Sequence, residues 1–290
     1  MKKEFNFMNE LLKEIQYNNG KFPEEQLKEI INRKEEFIPE LLEILKNAKE
    51  NYEDIIEEPE YFGHIYASFL LAQFKEAQSF KLIIDLVSLP DEIPDQMFGD
   101  LLTEELHKIL ASVCGGDTEP IKKLVEDRNV NEYVRCAAIK SFIALLGEGV
   151  ISQSEVLEYY KSLYEGKLER ETSQVWNELI CSSCEAGPSE LYEYIKKAYK
   201  DELVEEEFIA LEEVSDAIEV HDKEKFPNLK DEGYSFIKDT ISELGCWVCF
   251  SKDSEKVKPQ YMSSGSKGNK DKKKSKKKSV KATKKKQRKK

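Results

Sequence analysis

One stretch near the middle of the chain, Asn131–Leu146 (NEYVRCAAIKSFIALL), limits what the rest can fold into. Val134, Ala137, Ala138, Phe142 and Leu145 fall on one face at helical spacing. Cys136, Ile139, Ile143 and Leu146 line the other side. A helix that is apolar over most of its circumference cannot face water and has to lie between neighbours. The small pair Ala137 and Ala138 lets another helix approach closely. Arg135 is the one strong cation early in this helix. It is expected to be structural, pairing with an acid or carbonyl of an adjacent element, with Asp127 and Glu132 as candidates.

The surrounding sequence repeats the theme. Glycine (13) and proline (9) are sparse for 290 residues, which favours long helices and an all-α fold. Helix pairs are predicted at Glu60–Phe74 with Ala77–Leu89, Phe98–Cys114 with Glu119–Asp127, Asn131–Leu146 with Glu155–Gly166, and Thr172–Glu185 with Glu190–Tyr199. Pro90–Pro94, Gly115-Gly116-Asp117, Gly147-Glu148-Gly149 and Ala186-Gly187-Pro188 separate them, and Ser152 with Glu155 is spaced as a capping box. Glu205–Ile218 opens a partial unit. Three earlier helices precede the pairs, the third starting at Phe37-Ile38-Pro39-Glu40, and Tyr234–Leu244 is predicted as the last helix. Pair starts recur roughly every 33–41 residues, the range of helical-hairpin solenoids. A HEAT-like α-solenoid of stacked hairpins over 1–250 is therefore expected. Trp247 and Phe250, just after the last helix, are expected to fold back as a cap on the final hairpin, and Trp176 to serve in the core.

The charge is divided. The formal net charge is −12, yet Ser263–Lys290 carries fourteen lysines and one arginine against one aspartate, and the remainder is strongly acidic. Residues 251–290 are expected to form a disordered Lys-rich tail, because Ser, Gly and Lys with almost no apolar side chain cannot offset ordering entropy. Its basic clusters, Lys272, Lys273, Lys274, Lys276, Lys277, Lys278, Lys284, Lys285, Lys286, Arg288, Lys289 and Lys290, are candidates for polyanion binding. Ser263–Lys290 holds no aromatic residue to stack bases, so RNA, DNA, anionic lipid or the acidic body itself would all be bound by charge.

Several segments together resemble a known family: Leu71-Ala-Gln-Phe74, Gly99-Asp-Leu-Leu-Thr-Glu104, Leu110-Ala-Ser-Val113, Asn131–Ala138, Val175-Trp176-Asn177, Glu243-Leu-Gly-Cys-Trp247 and Cys249-Phe250. Spread in order over roughly residues 30–250, they resemble the bacterial family of unknown function DUF1186, helical HEAT-like proteins. The resemblance implies a helical solenoid of the bacterial cytoplasm with no assigned activity. Many members look as if they end in a SEC-C zinc module. Here no Cys or His follows Cys249, and a lysine tail takes that place.

No catalytic constellation emerges. Cys181-Ser-Ser-Cys184 and Cys246-Trp-Val-Cys249 have the spacing of zinc or redox pairs, but the gap between them is far longer than in a zinc ribbon. Helix-core cysteines are the favoured reading. The three histidines, His64, His107 and His221, are dispersed, and none forms a His-Glu dipeptide. No cofactor or metal is expected. No run of ~18 apolar residues and no signal-peptide core occur, which points to the cytoplasm. The expected function is a non-enzymatic interaction module with an unidentified protein partner. The alternative is a tail-anchored factor associated with RNA, the ribosome or another polyanion.

Overall fold

The computed structural model describes residues 10–205, 207–224 and 228–250. Among them the regular structure is helical, and the sole β-type pairing is an isolated bridge between Tyr17 and Tyr61. The chain divides into two compact units, Met1–Trp247 and Val248–Lys290. The described part of the second unit is the 3-10 turn Val248–Phe250. The polyanion-binding candidates Lys272–Lys290 and the expected disordered tail lie outside the described residues.

The first unit begins with a helical turn at 10–15, then α1 (Glu24–Asn32), α2 (Lys34–Glu50) and α3 (Tyr52–Glu57). It continues through α4 (Gly63–Phe74), α5 (Gln78–Val87), α6 (Ile93–Phe98), α7 (Leu101–Glu104) and α8 (Leu106–Val113). Next come α9 (Glu119–Glu126), α10 (Glu132–Gly147) and α11 (Gln153–Ser162), the last running into a π-turn at Leu163–Lys167. The unit closes with α12 (Gln174–Ala186), α13 (Tyr192–Lys200), α14 (Leu211–Glu224) and α15 (Thr240–Gly245).

The core is organised around α10. Asn131 caps it, its side chain accepting from the backbone N–H groups of Tyr133 and Val134. Ten of its side chains, from Val134 to Leu145, are buried, including Ala137, Ala138 and Ala144. Burial on every side requires neighbours on every side: α8 packs against one flank, α12 against another and α9 against a third. Helix α8 in turn packs on α4, and α4 on α2, giving the series α2–α4–α8–α10–α12. Helix α4 is enclosed in the same way, with Gly63–Ala72 all buried.

Four predicted boundaries differ from those observed. Pro94 does not interrupt the chain but sits in the first turn of α6, where its missing N–H has no helical partner to lose. Gly99 (φ +52°) then ends α6, and the expected helix Phe98–Cys114 starts only at Leu101 and is divided at Glu105 into α7 and α8. Likewise Phe37-Ile38-Pro39 is not a start but lies inside α2. The largest difference is at Tyr234–Leu244. Residues 234–239 are non-helical, with a bend at Ser235 and extended backbone at Asp239, and the helix begins only at Thr240, where the Asp239 carboxylate accepts from the Ile241 and Ser242 backbone N–H groups.

That non-helical stretch is part of a strap, residues 228–247, that retraces the helix series in reverse order. Glu232 faces Glu185 on α12. Leu229 and the Tyr234 carbonyl lie over Gly147 at the end of α10, Ile237 meets α8 and Thr240 meets α4. Gly245 sits against Phe22, just before α1. Trp247 finishes the strap by presenting its ring edge-on to Phe69 of α4, with centroids 5.9 Å apart. The expected cap on the last hairpin is therefore a contact with an early helix instead. Burying Ile237 and Leu244 contributes about 1.5–3 kcal/mol each.

Gly147 is what allows the strap backbone to approach. A Cβ there would sit 2.7 Å from the Tyr234 carbonyl oxygen and 3.2 Å from the Leu229 Cβ. We expect Gly147→Ala to destabilise the protein by about 1–3 kcal/mol, the range of overpacking. Its effect should appear as faster amide exchange at 234–240 than in α4, measured by hydrogen exchange.

Candidate functional site

Arg135 is the most heavily engaged cation of the core. Its Nη1 and Nη2 donate to the two carboxylate oxygens of Glu169 at 2.5 and 2.8 Å, and Nε donates to the Val125 carbonyl at 2.9 Å. The guanidinium is almost fully buried. Its partner is thus neither Asp127 nor Glu132 but Glu169, one hairpin further along the chain. The fork-to-fork geometry places a planar cation against a planar anion, and it holds the Glu169 carboxyl below its usual range. Trp176 reinforces the node. Its Nε1 donates to the Glu169 carbonyl at 2.9 Å, its ring lies beside Tyr164, and the Arg170 guanidinium stands over it at 5.3 Å.

The candidate chemical groups are held in structural roles. His64 is buried between Tyr61 and Phe98, with Nε2 at 2.7 Å from the Met97 carbonyl, and burial lowers its pKa to about 4. His107 is buried against Tyr234 and hydrogen-bonds the Gly233 carbonyl. Burial first, then Lys140 and Lys108, lower its pKa to about 3. Both imidazoles are therefore neutral near neutrality. His221 lies where no side chain is described. Cys181 and Cys184 share α12, and burial pushes both thiols up to about 12, disfavouring the thiolate that metal binding or redox attack requires. Cys136 is raised further for the same reason. Among the described residues, no group of three or more His, Cys, Asp or Glu side chains is arranged to hold a metal ion.

The densest cross-chain polar contacts lie along the strap, and pattern reading misses them. The Phe236 N–H donates to Glu148 Oε1 (3.2 Å), the Ile237 N–H to Ser112 Oγ (2.9 Å), and the Thr240 N–H to Gln73 Oε1 (2.8 Å). Glu148 also pairs with Lys230 and Lys238 at 3.0 and 3.1 Å. Lys108 bridges Glu105 of the body and Glu243 of the strap at 3.0 and 3.2 Å. The Lys75 ammonium stands 4.6 Å from the centre of the Phe236 ring. Asp239 was the available sequence signal: an Asp before Thr-Ile-Ser marks a helix start at Thr240. The acceptors Gln73, Ser112 and Glu148 carry no signal, being scattered along the sequence.

Elsewhere, a groove of about 570 Å³ runs between α5 and α9, lined by Phe80, Ile84, Leu124 and the charged Lys81, Asp85 and Lys123. A smaller one of about 320 Å³ has Tyr159 and Phe142 within it and Lys122 and Lys167 at its edge.

The sequence profile of "Protein of unknown function (DUF1186)" matches residues 7–251, most of the chain. The chain belongs to the DUF1186 family. Among its relatives is an uncharacterized protein of Chlamydia trachomatis, 37% identical over 240 residues, a match covering 82% of this chain and 94% of the relative. An uncharacterized protein of Chlamydia muridarum is also 37% identical, over 241 residues, covering 82% and 95%. No solved structure matches. No helix among the described residues of this DUF1186 chain is long and apolar enough to cross a membrane.

Two outcomes follow from these geometries. Arg135→Met should cost about 3–5 kcal/mol in denaturant melts by stranding Glu169, while Arg135→Met with Glu169→Leu should recover much of that loss. The strap-facing groups should give opposite pH trends. The depressed pKa of His107 means that its contribution is full above pH 6.5 and is lost as pH falls towards 3, so the advantage of wild type over His107→Gln should shrink on acidification. Glu185 is raised to about 7, chiefly by burial and then by Glu232, so its contribution is present in acid and lost as pH rises through 7. Glu185→Gln should therefore gain on wild type between pH 4.5 and 7 in melts followed by circular dichroism.

Proposed function

We infer that this protein is a non-enzymatic interaction module, a HEAT-like array of helical hairpins that scaffolds protein partners in the cytoplasm. The observation that supports the reading is the contact series α2–α4–α8–α10–α12, in which each helix packs on the next. Such stacked arrays offer extended surfaces rather than a single deep cavity. The neutral, backbone-bonded histidines and the high-pKa thiols fit that role, since these side chains are occupied in holding the fold. The strongly acidic body favours a partner with basic surface, because opposed charge raises encounter rates and suppresses wrong partners.

A second reading rests on the composition of the C-terminal segment, whose fourteen lysines would attach the protein to RNA or another polyanion. Affinity capture with the full chain and with a Met1–Met262 truncation, with and without nuclease, separates the two. The module reading expects a discrete protein partner that survives both treatments. Capture of RNA-dependent partners alone, lost on truncation, would replace it with the second reading.

A further inference from the structure

The strap is bound to its own body in the manner of a peptide ligand. Phe236 and Ile237 in its non-helical stretch, and Thr240 at the start of α15, donate three backbone N–H groups to side-chain acceptors drawn from three different helices or their ends: Glu148, Ser112 and Gln73. Acceptors of that kind hold any extended backbone, whatever its sequence, while pockets for the side chains supply the choice. Here the choice is legible. Ile237 is buried, Phe236 lies under the Lys75 ammonium, Tyr234 packs edge-on against His107, and Lys238 is paired with Glu148. Ser112 also donates its hydroxyl proton to the Lys108 carbonyl at 2.7 Å, so its oxygen is oriented to accept from the strap. Gly147 leaves room for the strap backbone and for nothing larger on α10 at that point.

We propose that the face formed by the ends of α4, α8 and α10 is a groove for a non-helical peptide segment, filled in cis by residues 234–240. A partner segment of the same chemistry, aromatic-x-aromatic-aliphatic-cation, displaces the strap. The proposal rests on the interaction-module reading and specifies its partner. The cation in that pattern agrees with the acidic character of the body, and Glu148 is its anchor. The tethered strap competes as an intramolecular ligand, so it sets a threshold that a partner segment has to exceed.

The test uses the full chain with Ile237→Asp, which weakens the strap's own hold and leaves every groove side chain in place. A fluorescein-labelled synthetic peptide of native residues 229–244 is titrated into wild type and variant and followed by anisotropy. The groove in wild type is available only for the fraction of time the strap is open, which lowers its apparent affinity in proportion. Saturable binding to the variant, at least about tenfold tighter than to wild type, is expected. It should be weakened when the peptide itself carries Ile→Asp or when Glu148→Gln is added to the protein. A folded variant that binds no better than wild type overturns the proposal. So does a variant that light scattering shows to be a dimer whose groove is filled by the strap of a second copy.

Should Ile237→Asp fail to fold, native-state hydrogen exchange in wild type decides. The amides of Phe236, Ile237 and Thr240 must exchange by local opening, faster than those buried in α10. Exchange only with global unfolding overturns the groove. A discrete partner that wild type still captures in an excess of the peptide would leave the interaction-module reading intact and remove the groove from it.

Discussion

A helix with no polar face has to be enclosed, and that requirement at α10 organises this molecule. Val134, Ala138, Ile139, Phe142, Ile143 and Leu145 point in several directions and are all buried. Each side consequently recruits a different neighbour: α8, α9 and α12. Ala137, Ala138 and Ala144 keep those neighbours close, and Gly147 lets the strap backbone reach the end of the helix. Arg135 is the exception that the enclosure has to accommodate. A guanidinium removed from water needs full pairing, and it receives two carboxylate oxygens from Glu169 and a carbonyl from Val125. One buried charge thereby ties the end of α9, the start of α10 and the approach to α12 together.

The strap follows a different physical logic from the helices. A helix satisfies its own backbone donors, whereas an extended segment on a protein face has to find acceptors elsewhere. Residues 236, 237 and 240 find them in side chains, and Asp239 supplies the acceptor that starts α15. The contacts to Glu148, Ser112 and Gln73 span 88, 125 and 167 residues of sequence and join the end of the unit to α10, α8 and α4. The strap thus adds contacts between residues far apart in sequence to the helix series α2–α4–α8–α10–α12.

Electrostatics along this seam are finely divided. His107, neutral and buried, bonds the strap backbone, while Glu185 and Glu232 oppose one another where the strap meets α12. Glu148 and Lys108 carry the compensating ion pairs. Protonation state therefore enters the attachment of the strap with opposite sign at two adjacent residues, Glu232 and Gly233.

By itself the sequence determined the all-α class, the burial of α10, the capping box at Ser152 and Glu155, the hairpin positions within a few residues, and membership of the DUF1186 family. Those features depend on local spacing: the 3.6-residue period, caps that reach two or three residues, and turns that glycine permits. Tertiary structure alone decided that Glu169 pairs with Arg135, that Trp247 meets Phe69, and that residues 234–239 are not helical. In each case the deciding partner is distant in the chain. The apolar pattern of Tyr234–Leu244 is compatible with a helix, but Gln73, Ser112 and Glu148 take its backbone donors, and no local signal records where those side chains will stand once α10 has been enclosed.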